Sequence, residues 1–93
     1  MPDTRSVLVR VSGRVQGVGY RAWTVDQAQA LNLSGWVRNL PNGDVEAVFS
    51  GPASDVDAMV AACRRGPALA RVANVMVTPA EPVSGSFQVR YAS

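Results

Sequence analysis

Hydrophobic and polar residues alternate near the start of the chain. In RSVLVRVS, residues 5–12, Val7, Val9 and Val11 fall on one face while Leu8, Arg10 and Ser12 fall on the other. That period of two predicts a half-buried strand. Over residues 20–33 the period lengthens, and Tyr20, Trp23, Ala28 and Leu31 share one broad side of a predicted helix. GWVRN, residues 35–39, reads as a second strand, and DVEAVFS, residues 44–50, as a third with Val45, Ala47 and Phe49 on one face. Between them Leu40-Pro41-Asn42-Gly43 suits a tight hairpin turn, because proline presets its dihedral while asparagine and glycine tolerate the left-handed one.

A second helix follows, with Ser54 as its cap and Asp57 three residues on as the partner in a capping-box arrangement. Val56, Met59, Val60 and Cys63 recur at helical spacing and Gly66-Pro67 supply the stop, so Cys63 is most simply a core residue. Residues 71–78 read as a fourth strand with Val75 and Val77 on one face. After PAEPVSGS, the run FQVRY at 87–91 alternates again, as either a fifth short strand or the closing part of the fourth.

The order strand, helix, strand, strand, helix, strand predicts one α+β domain over residues 1–93. Its economical solution is a ferredoxin-like βαββαβ sandwich, an antiparallel sheet with two helices on one face and the third strand inserted between the first two. In that topology the first and second strands run parallel. Gly13 and Asn39 then emerge at the same end of the sheet, roughly 10 Å apart across the intervening strand.

Composition narrows the chemistry. The chain has 93 residues and a formal charge of +2, too modest a balance to argue for a nucleic-acid or membrane partner. Histidine is absent and Cys63 is the only cysteine, which removes an intramolecular disulfide, thiolate or imidazole zinc clusters and serine-histidine or cysteine-histidine pairs. Any catalysis falls to arginine, carboxylate, amide, hydroxyl or backbone groups. No apolar run approaches the roughly 18 residues of a membrane span, and MPDTRS lacks the apolar core of a signal peptide, so the cytoplasm is the expected location.

GRVQGVGYR, residues 13–21, joins the first strand to the first helix. Glycines at 13, 17 and 19 allow successive N–H groups to turn inward around an anion, and the helix N-terminus would face the same hollow. Arg21 opposes the helix dipole, a local cost that makes sense if its guanidinium points at a bound anion. On glycine spacing alone an ordinary strand-to-helix turn is the favoured alternative. Asn39 likewise reads either as a turn residue or as a functional one. Trp23 and Trp36 are expected in the core or at its edge, and Arg64-Arg65 as a solvated helix end.

Together the residues resemble the acylphosphatase family along nearly the full chain. Gly13-Arg14-Val15-Gln16-Gly17-Val18-Gly19-Tyr20-Arg21 is similar to the family's loop, and Gly35-Trp36-Val37-Arg38-Asn39 continuing through Gly43, Val45 and Gly51 to its second signature. The resemblance implies hydrolysis of small acyl phosphates to carboxylate and inorganic phosphate without a metal or organic cofactor. It implies that Arg21 binds the phosphate, that Asn39 orients the attacking water, and that the backbone N–H groups of Val15, Gln16, Gly17, Val18, Gly19 and Tyr20 form the phosphate cradle. Tyr20 is a departure, since relatives more often carry phenylalanine there. A monomer with no partner beyond the substrate is the expectation. Two alternatives stand beside it. One is a single-strand RNA binder, disfavoured because the first and third strands offer no aromatic platform. The other is the acylphosphatase-like domain of larger carbamoyltransferases, disfavoured because the chain ends at Ser93.

Overall fold

The alternation of residues 5–12 belongs to a longer strand, β1 (Thr4–Arg14), which in the computed structural model of residues 3–91 lies inside a five-stranded sheet. The chain continues as α1 (Tyr20–Ala30), β2 (Ser34–Asn39), β3 (Val45–Pro52), α2 (Ala53–Arg65), β4 (Arg71–Pro79) and β5 (Gln88–Val89). The strand order is β4-β1-β3-β2-β5. Because β3 pairs antiparallel with both β1 and β2, those two run parallel with β3 between them, and residues 15 and 39 leave the sheet at the same end. The run at 87–91 contains a strand of its own: β5 pairs parallel with β2, Gln88 beside Trp36 and Val89 beside Val37.

Both helices cover one face. Val7, Val9, Val11, Val37, Val45, Ala47 and Phe49 of the sheet meet Tyr20 and Ala28 of α1 and Val56, Met59 and Cys63 of α2, all buried. Each large aliphatic or aromatic side chain so buried contributes roughly 1.5–3 kcal/mol. Phe87 closes the core beside β5, its ring stacked on Phe49 at 5.4 Å.

The helices differ from expectation at their ends. α1 buries Tyr20, Thr24 and Ala28, leaving Trp23 and Leu31 at the margin. Thr24 is tolerated inside because its hydroxyl donates to the Tyr20 carbonyl at 2.8 Å. The helix stops at Ala30 rather than Leu33, where Asn32 turns left-handed (φ 55) and the Leu33 N–H reaches back to the Ala28 carbonyl at 2.9 Å. α2 begins one residue before the expected Ser54 cap. β3 runs straight into it at Pro52, whose fixed φ of −56 sets the entry, and no side chain caps the helix. Asp57 pairs instead with Arg5 of β1.

Trp36 is not a core residue. The β2–β3 register sets Val37 beside Ala47 on the helix-covered face, which turns Trp36 and Arg38 to the opposite face beside Val48 and Glu46. There the guanidinium carbons of Arg38 and Arg90 lie 5.2 and 4.7 Å from the indole centroid. This adds one aromatic to a face that strand patterns in β1 and β3 alone leave bare. Glu46 on the same face is 6% exposed and paired, receiving Arg38 Nε and Nη2 at 2.9 and 2.6 Å and Arg10 at 3.4 Å.

Gly13 also has a different place from the one its sequence neighbours suggest. It lies within β1 where the β4 register shifts, and a Cβ there would stand 2.2 Å from the Arg71 carbonyl oxygen. Close packing of β4 requires this glycine, so it stands apart from the loop that follows.

Candidate active site

Residues 15–19 link β1 to α1, and both flanks of the loop are fixed in the core. Val15 and Tyr20 are buried. The Tyr20 hydroxyl donates to the Cys63 carbonyl at 2.7 Å, tying the start of α1 to the last turn of α2 and giving the unexpected hydroxyl a partner. Burial pushes the Tyr20 phenol far above its usual range, and burial likewise pushes the Cys63 thiol up to about 11. Neither is a nucleophile at neutral pH.

Between the anchors, Gly17 and Gly19 adopt φ of +74 and +79, with no heavy atom within 4 Å of where a Cβ would stand. Their requirement is therefore conformational: a side chain would find room but strain the backbone. Gly19 caps α1 without a side-chain hydrogen bond, and the first turn carries no acidic residue. The helix N-terminus so remains unsatisfied by side chains, with its positive dipole end toward the loop.

Gln16 fixes the loop laterally. Its side-chain amide donates to the carbonyls of Leu40 at 2.8 Å and Asp44 at 2.9 Å. Those residues are the base of the β2–β3 hairpin, itself closed by Leu40 N–H to Asp44 and Gly43 N–H to Leu40. Asn39, the last residue of β2, thus sits beside a loop bolted to the residue that follows it. Its Oδ1 is buried and has no hydrogen-bond partner. An unpaired buried acceptor costs about 1–3 kcal/mol.

These groups border one cleft of about 250 Å³. Its lining comes from Val15, Gln16, Gly17, Gly19 and Tyr20 of the loop and its flanks, Arg21 and Ala22 of α1, Asn39 of β2, and Val89 and Tyr91 of the β5 segment. Of the residues that the sequence nominates, only Val18 stays out of the lining; it packs partly buried against the core. Arg21 forms no ion pair among the described residues, and its guanidinium carbon lies 5.4 Å from the Tyr91 ring centroid. Sequence reasoning missed the Gln16 brace and the β5 part of the lining. The signal for the latter is the alternation of Phe87, Val89 and Tyr91, which becomes informative once β5 is known to run parallel beside β2.

Among the described residues no group of three or more acidic, cysteine or histidine side chains converges as a metal site, and no helix is long and apolar enough to cross a membrane.

Two helices on one face of a mostly antiparallel sheet, with a glycine-bearing loop beside the end of a parallel-running strand, define the ferredoxin-like α+β class. Within it the chain is specifically placed. A family model described as Acylphosphatase matches residues 7–89. The acylphosphatase of Rhodospirillum rubrum is 57% identical over 75 residues, covering 81% of this chain and 82% of the relative. Among solved structures, an acylphosphatase from Coxiella burnetii superposes with a TM-score of 0.90 at 36% identity, covering 95% of this chain and 94% of that one. The acylphosphatase from Bacillus subtilis gives 0.88 at 32% identity, covering 96% and 100%. The chain belongs to the acylphosphatase family and is an enzyme of that kind.

Proposed function

We propose that the chain hydrolyses small acyl phosphates in this cleft, yielding a carboxylate and inorganic phosphate. The loop N–H groups of residues 15–20 and the Arg21 guanidinium hold the phosphoryl oxygens, and Asn39 orients the attacking water. The observation that carries this reading is the unpartnered Asn39 Oδ1, buried yet bordering the same cleft as Arg21 and the loop. A water donating to that oxygen would satisfy it and stand beside a phosphoryl group held by the loop.

The chemistry needs little more. An acyl phosphate has a good carboxylate leaving group, so general-acid help is dispensable. What remains is to hold the phosphoryl group, stabilise charge spread over its oxygens, and set water in line with the leaving oxygen. Water oxygen forms the new bond to phosphorus while the bond from phosphorus to the acyl oxygen breaks. That electron pair leaves on the carboxylate. Neutral Asn39 is a weak base, so the water's proton passes to a phosphate oxygen of the substrate. Arg21 is prepared for the first task because no carboxylate of the described residues pairs with it. All the groups named come from one chain, which supports action as a monomer.

The test is phosphate release from acetyl phosphate in the presence of a chelator. Wild type is expected to turn over undiminished by the chelator. Arg21→Ala is expected to lose activity by at least about a hundredfold, together with inhibition by inorganic phosphate. Activity abolished by the chelator, or retained by Arg21→Ala, would refute the reading.

A further inference from the structure

We propose that Tyr91, together with Val89, forms the surface on which the acyl part of the substrate lies, so that the cleft favours acyl phosphates whose acyl group is flat, uncharged and aromatic. The inference rests on the hydrolysis reading above and specifies which substrates it serves.

The cleft is two-sided in chemistry. Hydrogen-bond donors and the one cation come from the loop, Arg21 and Asn39, whereas Ala22, Val89 and the Tyr91 ring offer apolar surface. With a phosphoryl group held by the donors, that surface is the part of the lining left for its acyl substituent. Among the described residues the lining contains no carboxylate and no cation besides Arg21, so none of these side chains would recognise a second charge on the acyl group.

Core packing does not account for the aromatic ring of Tyr91. It is 77% exposed, unlike Phe87 two positions before it, which is 2% exposed and stacked in the core. Its place follows from strand pairing. Val89 lies beside Val37 and the Arg90 N–H donates to the Val37 carbonyl at 2.8 Å, so the chain leaves β5 alongside β2, and Tyr91 lines the same cleft as Asn39. The Arg21 guanidinium then holds the ring at 5.4 Å, a cation–π distance. The outcome is an exposed aromatic plane fixed at the cleft mouth by the same arginine proposed to grip the phosphate. A planar acyl group can stack on it, while an acetyl group offers no ring to stack.

The experiment compares kcat/KM for benzoyl phosphate with that for acetyl phosphate in wild type, Tyr91→Ala and Tyr91→Phe, alongside inhibition by inorganic phosphate. The benzoyl-to-acetyl ratio should fall roughly threefold to tenfold in Tyr91→Ala and stay within about twofold of wild type in Tyr91→Phe. An unchanged ratio in Tyr91→Ala would overturn the proposal. So would an equal loss on both substrates with matching loss of phosphate inhibition, which would make Tyr91 a support for Arg21 only. Wild type inert toward both substrates would instead remove the hydrolysis reading, and this one with it.

Discussion

Gln16 Nε2 lies 2.8 Å from the carbonyl oxygen of Leu40, the residue that follows Asn39. One side chain thereby sets the spacing between the loop after β1 and the strand end that carries Asn39. Gln16→Ala should lower kcat about tenfold to a hundredfold, because small misplacements of positioning groups carry costs of that size. Stability should fall by only about 1 kcal/mol, since both carbonyls keep partners within the hairpin. Gln16→Glu should be worse in urea titrations, as it turns a carboxylate toward two carbonyl oxygens. A wild-type kcat for Gln16→Ala would remove the positioning role.

Gly13 and Gly17 separate two demands made within one motif. Gly13→Ala should destabilise by about 3 kcal/mol or more, because its Cβ would collide with the Arg71 carbonyl at 2.2 Å. Gly17→Ala meets open space at φ +74 and should cost about 1–2 kcal/mol, from the left-handed backbone alone. Denaturant midpoints measure both, and equal losses would contradict the distinction.

Alkaline pH should unfold the protein through the helix-to-helix tie. Burial raises the Cys63 thiol from 9.0 to about 11 and raises the Tyr20 phenol further above its ordinary 10.0. Above those ordinary values the unfolded chain loses protons that the folded one retains, so stability falls as pH rises. Their contribution should be intact below about pH 9, decline from there, and fall more steeply past pH 10, as followed by urea midpoints. Tyr20→Phe should remove the steeper part of the decline. A stability that rose over this range would contradict the burial of both groups.

Much of the fold is legible because burial on one face imposes a period. The valines of β1 and the Val56, Met59, Cys63 stripe of α2 follow from that constraint, and the Pro41-Asn42-Gly43 turn from local dihedral preference. What escapes depends on distant partners. The alternation of Phe87, Val89 and Tyr91 leaves open whether β5 is a strand of its own or the close of β4, until β2 is beside it. Trp36 faces away from the core because the register places Val37 beside Ala47, a parity that GWVRN alone does not set. Thr24 is buried because a local carbonyl accepts its hydroxyl, which hydropathy does not anticipate.

The site divides the same way. Arg21, Asn39 and the loop are legible as a motif, and the sheet brings them to one cleft. Gly13 belongs to the motif in sequence but to strand packing in space, and Val18 packs against the core. The Gln16 brace joins residues more than twenty positions apart, and its target is main-chain carbonyl, which leaves no trace in side-chain pattern.

The central claim is that Asn39 acts on water and Arg21 on phosphate. The measurement that separates them is the kcat of Asn39→Ala on acetyl phosphate, taken together with the inhibition constant for inorganic phosphate. The account predicts that kcat falls about a hundredfold to a thousandfold while phosphate inhibits as in wild type, within about twofold. A kcat close to wild type, or a loss of phosphate binding in step with kcat, would contradict it.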